Sequence, residues 1–133
     1  MTSERQSGGE NLVSLYFHIP FCTKKCPYCH FYVVPNQKNF HALLAEGLKK
    51  EWELRTPQVE SKKIASIYFG GGTPTLFGPE QIAAVLERID GKSTDCEITI
   101  EANPEEATYG LLAEYRRIGI NRLSLGVQSL DDR

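Results

Sequence analysis

The chain is predicted to fold as a parallel α/β protein made of successive βα units. Short apolar, β-prone runs alternate with stretches whose apolar residues recur at helical spacing, in the order strand, helix, strand, helix, strand, helix, strand. That order, with helices as crossovers, calls for a parallel sheet with right-handed connections. Each strand run also ends in a glycine-rich or polar segment, and in such sheets and the related barrels active sites lie at the carboxyl ends of strands. Four such segments on one edge are harder to explain by packing than any one of them alone.

Met1 to Asn11 mixes Ser, Gly, Gln and charged residues without periodicity. It is expected to be a disordered leader, 1–11, ahead of an incomplete core domain, 12–133, of four strands and three helices. Leu12 to Ile19 is an apolar run stopped by Pro20, which suits a strand buried on both faces. It delivers a cysteine-rich loop at its carboxyl end. Phe40, Leu43, Leu44, Gly47, Leu48 and Trp52 then recur at helical spacing, with Pro57 just past the end, as an amphipathic helix requires. Ile64 to Phe69 reads as the second strand and breaks into Gly70-Gly71-Gly72-Thr73-Pro74-Thr75.

A second helix starts at Pro79, a residue suited to a first turn, and carries Ile82, Val85, Leu86 and Ile89 on one face, with Gly91 as its stop. Cys96 to Ile100 is the third strand and leads into Glu101-Ala102-Asn103-Pro104. Leu111, Leu112, Tyr115 and Ile118 mark a third helix closed by Gly119, and Arg122 to Leu125 is a fourth strand running into Gly126-Val127-Gln128-Ser129. Ending on that strand should leave unpaired backbone groups and an uncovered apolar face. The chain is therefore expected to be a fragment of low stability alone.

Composition narrows the function classes. The 133 residues are 41% hydrophobic, with a formal net charge of -2, an ordinary globular balance without the basic field a nucleic-acid partner needs. Lys49-Lys50 and Arg116-Arg117 read as solvated helix faces. No apolar run approaches the about 20 residues of a membrane span, and no secretion signal opens the chain. A cytoplasmic, reducing location is expected, because three of the four cysteines are bunched in one loop rather than spread as a disulfide scaffold.

That loop is Phe21-Cys22-Thr23-Lys24-Lys25-Cys26-Pro27-Tyr28-Cys29-His30-Phe31. Thiolates at CxxxCxxC spacing can each bind one iron of a [4Fe-4S] cube, leaving the fourth iron without a protein ligand and open to chemistry. Two other readings stand beside this one: a zinc knuckle completed by His30, and a disulfide with a spare thiol. Structural zinc usually takes two separated pairs, and His30, directly beside Cys29, is badly placed to reach the same metal.

With its lead-in Tyr16-Phe17-His18-Ile19-Pro20-Phe21, the segment resembles the radical S-adenosylmethionine (SAM) superfamily. Within it, the chain is similar to the branch of oxygen-independent coproporphyrinogen III dehydrogenase and the haem chaperone. The dehydrogenase carries a further cysteine two residues past the third; Phe31 stands there in this chain and points to the chaperone-like side. That side more often has aspartate where this chain has His30. The resemblance implies the first half of a partial TIM-type (β/α)6 radical SAM barrel, with Cys22, Cys26 and Cys29 as cluster ligands.

The other motifs carry weaker signals of their own. Gly70-Gly71-Gly72-Thr73-Pro74-Thr75 lacks the lysine of a phosphate-binding loop, so its glycines suit a backbone that approaches a ligand closely, or a flexible strand-to-helix turn. The resemblance assigns Gly71, Gly72 and Thr73 to the amino end of SAM. Glu101 can be a solvated charge at a strand end; the resemblance makes it a SAM contact, and Gln128 another. Tyr16 and Tyr28 can be core residues, but the resemblance puts Tyr16 near the SAM-bound centre and Tyr28 against the adenine. His18 and His30 read as supporting residues rather than ligands, and Cys96 as a small buried hydrophobe.

The implied function is haem metabolism with a [4Fe-4S] cluster and SAM as cofactors and haem as a further ligand. One electron from a reductant protein such as flavodoxin or ferredoxin would cleave SAM to methionine and a 5′-deoxyadenosyl radical. On the chaperone reading the protein binds haem and hands it to an acceptor protein. On the dehydrogenase reading the radical attacks propionates of a porphyrinogen, ending in vinyl groups. Substrate-binding residues are expected in a carboxyl-terminal part outside this sequence.

Overall fold

The computed structural model describes residues 11–131. Residues 1–10 of the expected leader and the last two of the expected core lie outside the described residues. The elements are β1 (Leu12–Ile19), β2 (Phe21–Cys22), β3 (Val34–Pro35), α1 (His41–Arg55), β4 (Lys63–Gly71), α2 (Pro79–Leu86), β5 (Lys92–Ala102), α3 (Tyr109–Arg117) and β6 (Arg122–Leu125). A four-stranded sheet runs β1-β4-β5-β6 with every neighbour parallel, as expected. The first and fourth of these strands have the predicted limits; β4 and β5 run further, so that Gly70, Gly71 and Glu101 lie within strands.

The register explains which side of the sheet is buried. Phe17 pairs with Phe69 and Phe69 with Ile100, and because parallel partners in register point the same way, these rings stack under the helices. Phe69 and Ile100 are fully buried there with Ile19, Ile67, Ile82, Val85 and Tyr115. The alternate row, Tyr16, Tyr68, Thr99 and Arg122, lies on the opposite face beside Ser14 and Ser66, whose hydroxyls share a hydrogen bond of 2.8 Å. β1 is thus buried on one face only, contrary to expectation, and alternates exposed and covered residues along its length. The sheet face away from the helices is polar rather than apolar. Exposed apolar groups sit instead at Leu123 and Leu125 of β6, on the side where helices cover the other strands.

Each helix is held by a few specific contacts. In α1 the buried residues are His41, Ala45 and Trp52, with Leu44 and Leu48 packed beside them. Phe40 and Leu43 of the expected apolar face are exposed, because the helix turns His41 toward Phe21 and Phe77. Trp52 Nε1 donates to Arg88 O at 2.9 Å, tying α1 to the end of α2. That helix ends well before Gly91, and Ile89 is buried in the turn that follows. Thr108 caps α3 by accepting from Leu111 N. Asn121 then clasps β5, its Oδ1 accepting from Ile98 N and its Nδ2 donating to Cys96 O.

The two-residue strands β2 and β3 are the element no periodicity announced. They pair parallel, Phe21 with Val34 and Cys22 with Pro35, and Val34 N and Asn36 N donate to Pro20 O and Cys22 O. The cysteine loop therefore leaves and returns at one place, its two ends fastened together at the carboxyl edge of the main sheet.

Candidate functional site

Cys22 sits at the root of the loop, part-buried, while Cys26 is exposed and Cys29 part-buried further out; all four described cysteines are free thiols. Cys29 N donates to Cys26 O at 3.0 Å, closing a tight turn around Tyr28. Burial pushes the Cys22 thiol above its usual range, a hydrogen bond with Thr73 pulls it back, and the neighbouring Cys29 and Cys26 raise it again. Among the described residues no three His, Cys, Asp or Glu side chains close on one point as the ligands of a single ion do. A cube takes one thiolate per iron, so its ligands face separate corners, and three free thiols on one loop are the donor set it uses.

The glycine turn is pressed against the root of this loop. Gly72 N donates to Ile19 O and Thr73 N to Phe21 O, at 2.8 and 2.7 Å. A β-carbon on Gly71, whose φ is +120°, would meet the His18 ring at 2.6 Å; one on Gly72 would meet Phe21 O at 2.5 Å. The glycines let strand β4 approach the protein's own backbone, and a ligand is not the only surface they admit. Gly71 N in turn donates to Glu101 Oε2 at 3.1 Å. All three N–H groups of the turn are used internally, so what it can offer an ammonium group is the negative end of its carbonyls.

Glu101 lies on the polar face of the sheet. Tyr68, which sequence reading passed over, donates its hydroxyl to Glu101 Oε1 at 2.7 Å. The Tyr16 ring stacks on Tyr68 with centroids 6.0 Å apart. Burial first, then the Glu101 and Tyr68 charges, raise the Tyr16 phenol. Tyr16 also meets His18 Nδ1 at 3.3 Å, and His18 Nε2 lies 3.0 Å from Tyr32 O. His18 therefore pins the returning limb of the cysteine loop, the supporting role expected of it. His30 is exposed.

A cavity of about 600 Å³ opens between the loop and the ends of β5 and β6, lined by Cys26, Tyr28, Thr73, Asn103, Glu106 and Gln128 among others. It gathers four of the predicted residues. Cys22 joins it through Thr73 Oγ1, 3.8 Å from its sulfur. Tyr16, Gly71 and Glu101 form the adjoining cluster on the sheet face, and Gly72 links the two groups along the chain. Glu106 Oε2 is buried with no hydrogen-bond partner among the described residues, an acceptor left for a donor from a bound molecule. Asn103 and Glu106 were not singled out from sequence, since neither lies in a spacing pattern of its own.

The family model of the radical SAM superfamily matches residues 16–133. A zebrafish (Danio rerio) protein named radical S-adenosyl methionine domain-containing protein 1, mitochondrial, is 42% identical over 89% of this chain and 27% of its own length. The heme chaperone HemW of Haemophilus influenzae is 38% identical over 90% of this chain and 33% of its own. The solved structure of coproporphyrinogen III oxidase (HemN) from Escherichia coli, described as a radical SAM enzyme, superposes with a TM-score of 0.82 at 34% identity, covering 92% of this chain and 29% of that one. The chain spans about a third or less of the length of these relatives.

Proposed function

Because the chain belongs to the radical SAM superfamily, we propose that Cys22, Cys26 and Cys29 hold a [4Fe-4S] cluster, that SAM binds in the adjoining cavity, and that the protein serves haem handling as a chaperone. The observation that carries this is the seating of the three-thiol loop on the glycine turn through Cys22 and Thr73, at the edge where four strands end. When bound, cluster and SAM together supply one-electron radical chemistry.

The chain's own residues do the holding. Tyr28, exposed over the loop, and Gln128 flank the cavity and suit the adenine and ribose. The carboxylates of Glu101 and Glu106 accept from hydroxyl or ammonium donors. Gly71, Gly72 and Thr73 present backbone carbonyls beside the loop, and Tyr16 closes the sheet-face side. Lys24 and Lys25 are exposed on the same loop, a cationic approach for a reductant protein such as flavodoxin or ferredoxin. A reducing compartment such as the cytoplasm suits thiols that must stay free. Among the described residues no helix is long and apolar enough to cross a membrane.

Phe31 separates the two haem-related readings. It is 63% exposed, an apolar ring where the dehydrogenase pattern places a cysteine, and this favours haem binding and delivery to an acceptor protein. The likeness to the coproporphyrinogen III oxidase structure keeps oxidative decarboxylation of a porphyrinogen as the second reading. Anaerobic reconstitution followed by incubation with haem and, separately, with coproporphyrinogen III distinguishes them. Stable haem binding without conversion supports the chaperone; formation of protoporphyrinogen overturns it.

A further inference from the structure

We infer that Thr73, oriented by Asn103, donates its hydroxyl proton to the Cys22 sulfur and so raises the reduction potential of the cluster bound there. This rests on the cluster reading above. Asn103 Nδ2 donates to Thr73 Oγ1 at 3.1 Å, and the same oxygen lies 3.8 Å from Cys22 Sγ. A hydroxyl has one proton to give and two lone pairs to offer. The Asn103 amide takes one lone pair, and a thiolate bound to iron has no proton, so the hydrogen between oxygen and sulfur must be Thr73's own.

The device is rigid and dry. Thr73 is 4% exposed, which leaves little room for water to replace its hydroxyl. Its backbone is fixed on both sides, N–H to Phe21 O and carbonyl accepting from Leu76 N. Asn103 is backed by the strand β6 exit, where a β-carbon on Gly126 would lie 3.4 Å from Asn103 Oδ1. Donation from Asn103 polarises the Thr73 hydroxyl and makes it the better donor. A hydrogen bond to a cluster sulfur withdraws negative charge, which favours the reduced state. The Thr73 side chain thereby acts through Cys22 and not on the bound SAM, because its hydroxyl is already engaged.

The test is the midpoint potential of the anaerobically reconstituted protein, read by EPR-monitored titration and normalised to iron content. Thr73→Val, which keeps the shape and removes the hydroxyl, is expected to lower the potential, while Thr73→Ser holds it near the wild-type value. Asn103→Asp presents a carboxylate that draws the Thr73 proton away from sulfur, and is expected to lower the potential in a chain of unchanged size. It also serves where Thr73→Val takes up no iron. Loaded Thr73→Val or Asn103→Asp protein with the wild-type potential overturns the inference alone. Wild-type protein that takes up no cluster overturns it together with the reading on which it rests.

Discussion

Gly72 lies so close to Phe21 that a β-carbon on it would sit 2.5 Å from the Phe21 carbonyl oxygen. The obstacle is backbone at the root of the cysteine loop, so it cannot rotate aside as a side chain would. The turn and the loop are one rigid joint, and the glycine run is needed for that joint before any ligand arrives.

Gly72→Ala is therefore expected to destabilise the fold by about 1–3 kcal/mol, as overpacked sites do. Gly47→Ala is the opposite case, since nothing lies within 4 Å of the new β-carbon and the site is interior to α1. It should stabilise by roughly 0.5–1 kcal/mol. Urea midpoints of the two variants moving in the same direction would refute this account of the joint.

Replacing Cys22, Cys26 or Cys29 singly by Ser should abolish retention of a full cluster, read as iron and sulfide per chain after anaerobic reconstitution. Cys96→Ser should keep the wild-type iron content, because Cys96 is 7% exposed within the core. It should instead lower stability by about 1–3 kcal/mol through burial of a stronger polar group. Iron content independent of the three loop cysteines would end the cluster reading.

Glu101 receives one donor from Tyr68 and one from Gly71, which holds its carboxylate in place on the sheet face. Glu101→Ala is expected to weaken SAM binding by roughly 10-fold or more, as expected on loss of a hydrogen bond to a charged group. Tyr68→Phe should weaken it less, because the Gly71 donor remains. Calorimetric titration with SAM checks both, and equal affinity in wild type and Glu101→Ala would remove Glu101 from the site.

His41 is 7% exposed and its Nε2 lies 2.7 Å from Asn36 Oδ1. Burial first, and the charge of Lys38 second, hold its imidazole below the ordinary 6.5. As pH falls, the unfolded chain takes up this proton before the folded one does. The stability contributed is thus complete above the unfolded value and is lost as pH falls from there through the lower folded value. The urea midpoint of the metal-free protein should drop between about pH 7.5 and pH 5.5, more steeply than that of His41→Gln. Identical slopes would count against it.

The parts legible in sequence were those written in local patterns. Cys22, Cys26 and Cys29 stand out by spacing alone as thiols close enough in the chain to share one centre. Leu12–Ile19 and Arg122–Leu125 are bounded by residues that stop strands, and Gly119 closes α3 at a φ of +114°. The faces were less legible. Leu43 satisfies helical spacing yet is 67% exposed, because tertiary packing turned His41 and Ala45 inward instead.

By itself the sequence determined the alternation of strands and helices, the carboxyl-edge position of every motif, and the grouping of three thiols in one loop, since each depends on neighbours a few residues apart. Only the tertiary structure decided that Tyr68 would grip Glu101, that Asn103 and Thr73 would meet Cys22, and that β2 and β3 would fasten the loop. Those contacts join residues 12 or more positions apart, and their geometry follows from strand register and close packing, which spacing along a chain does not encode.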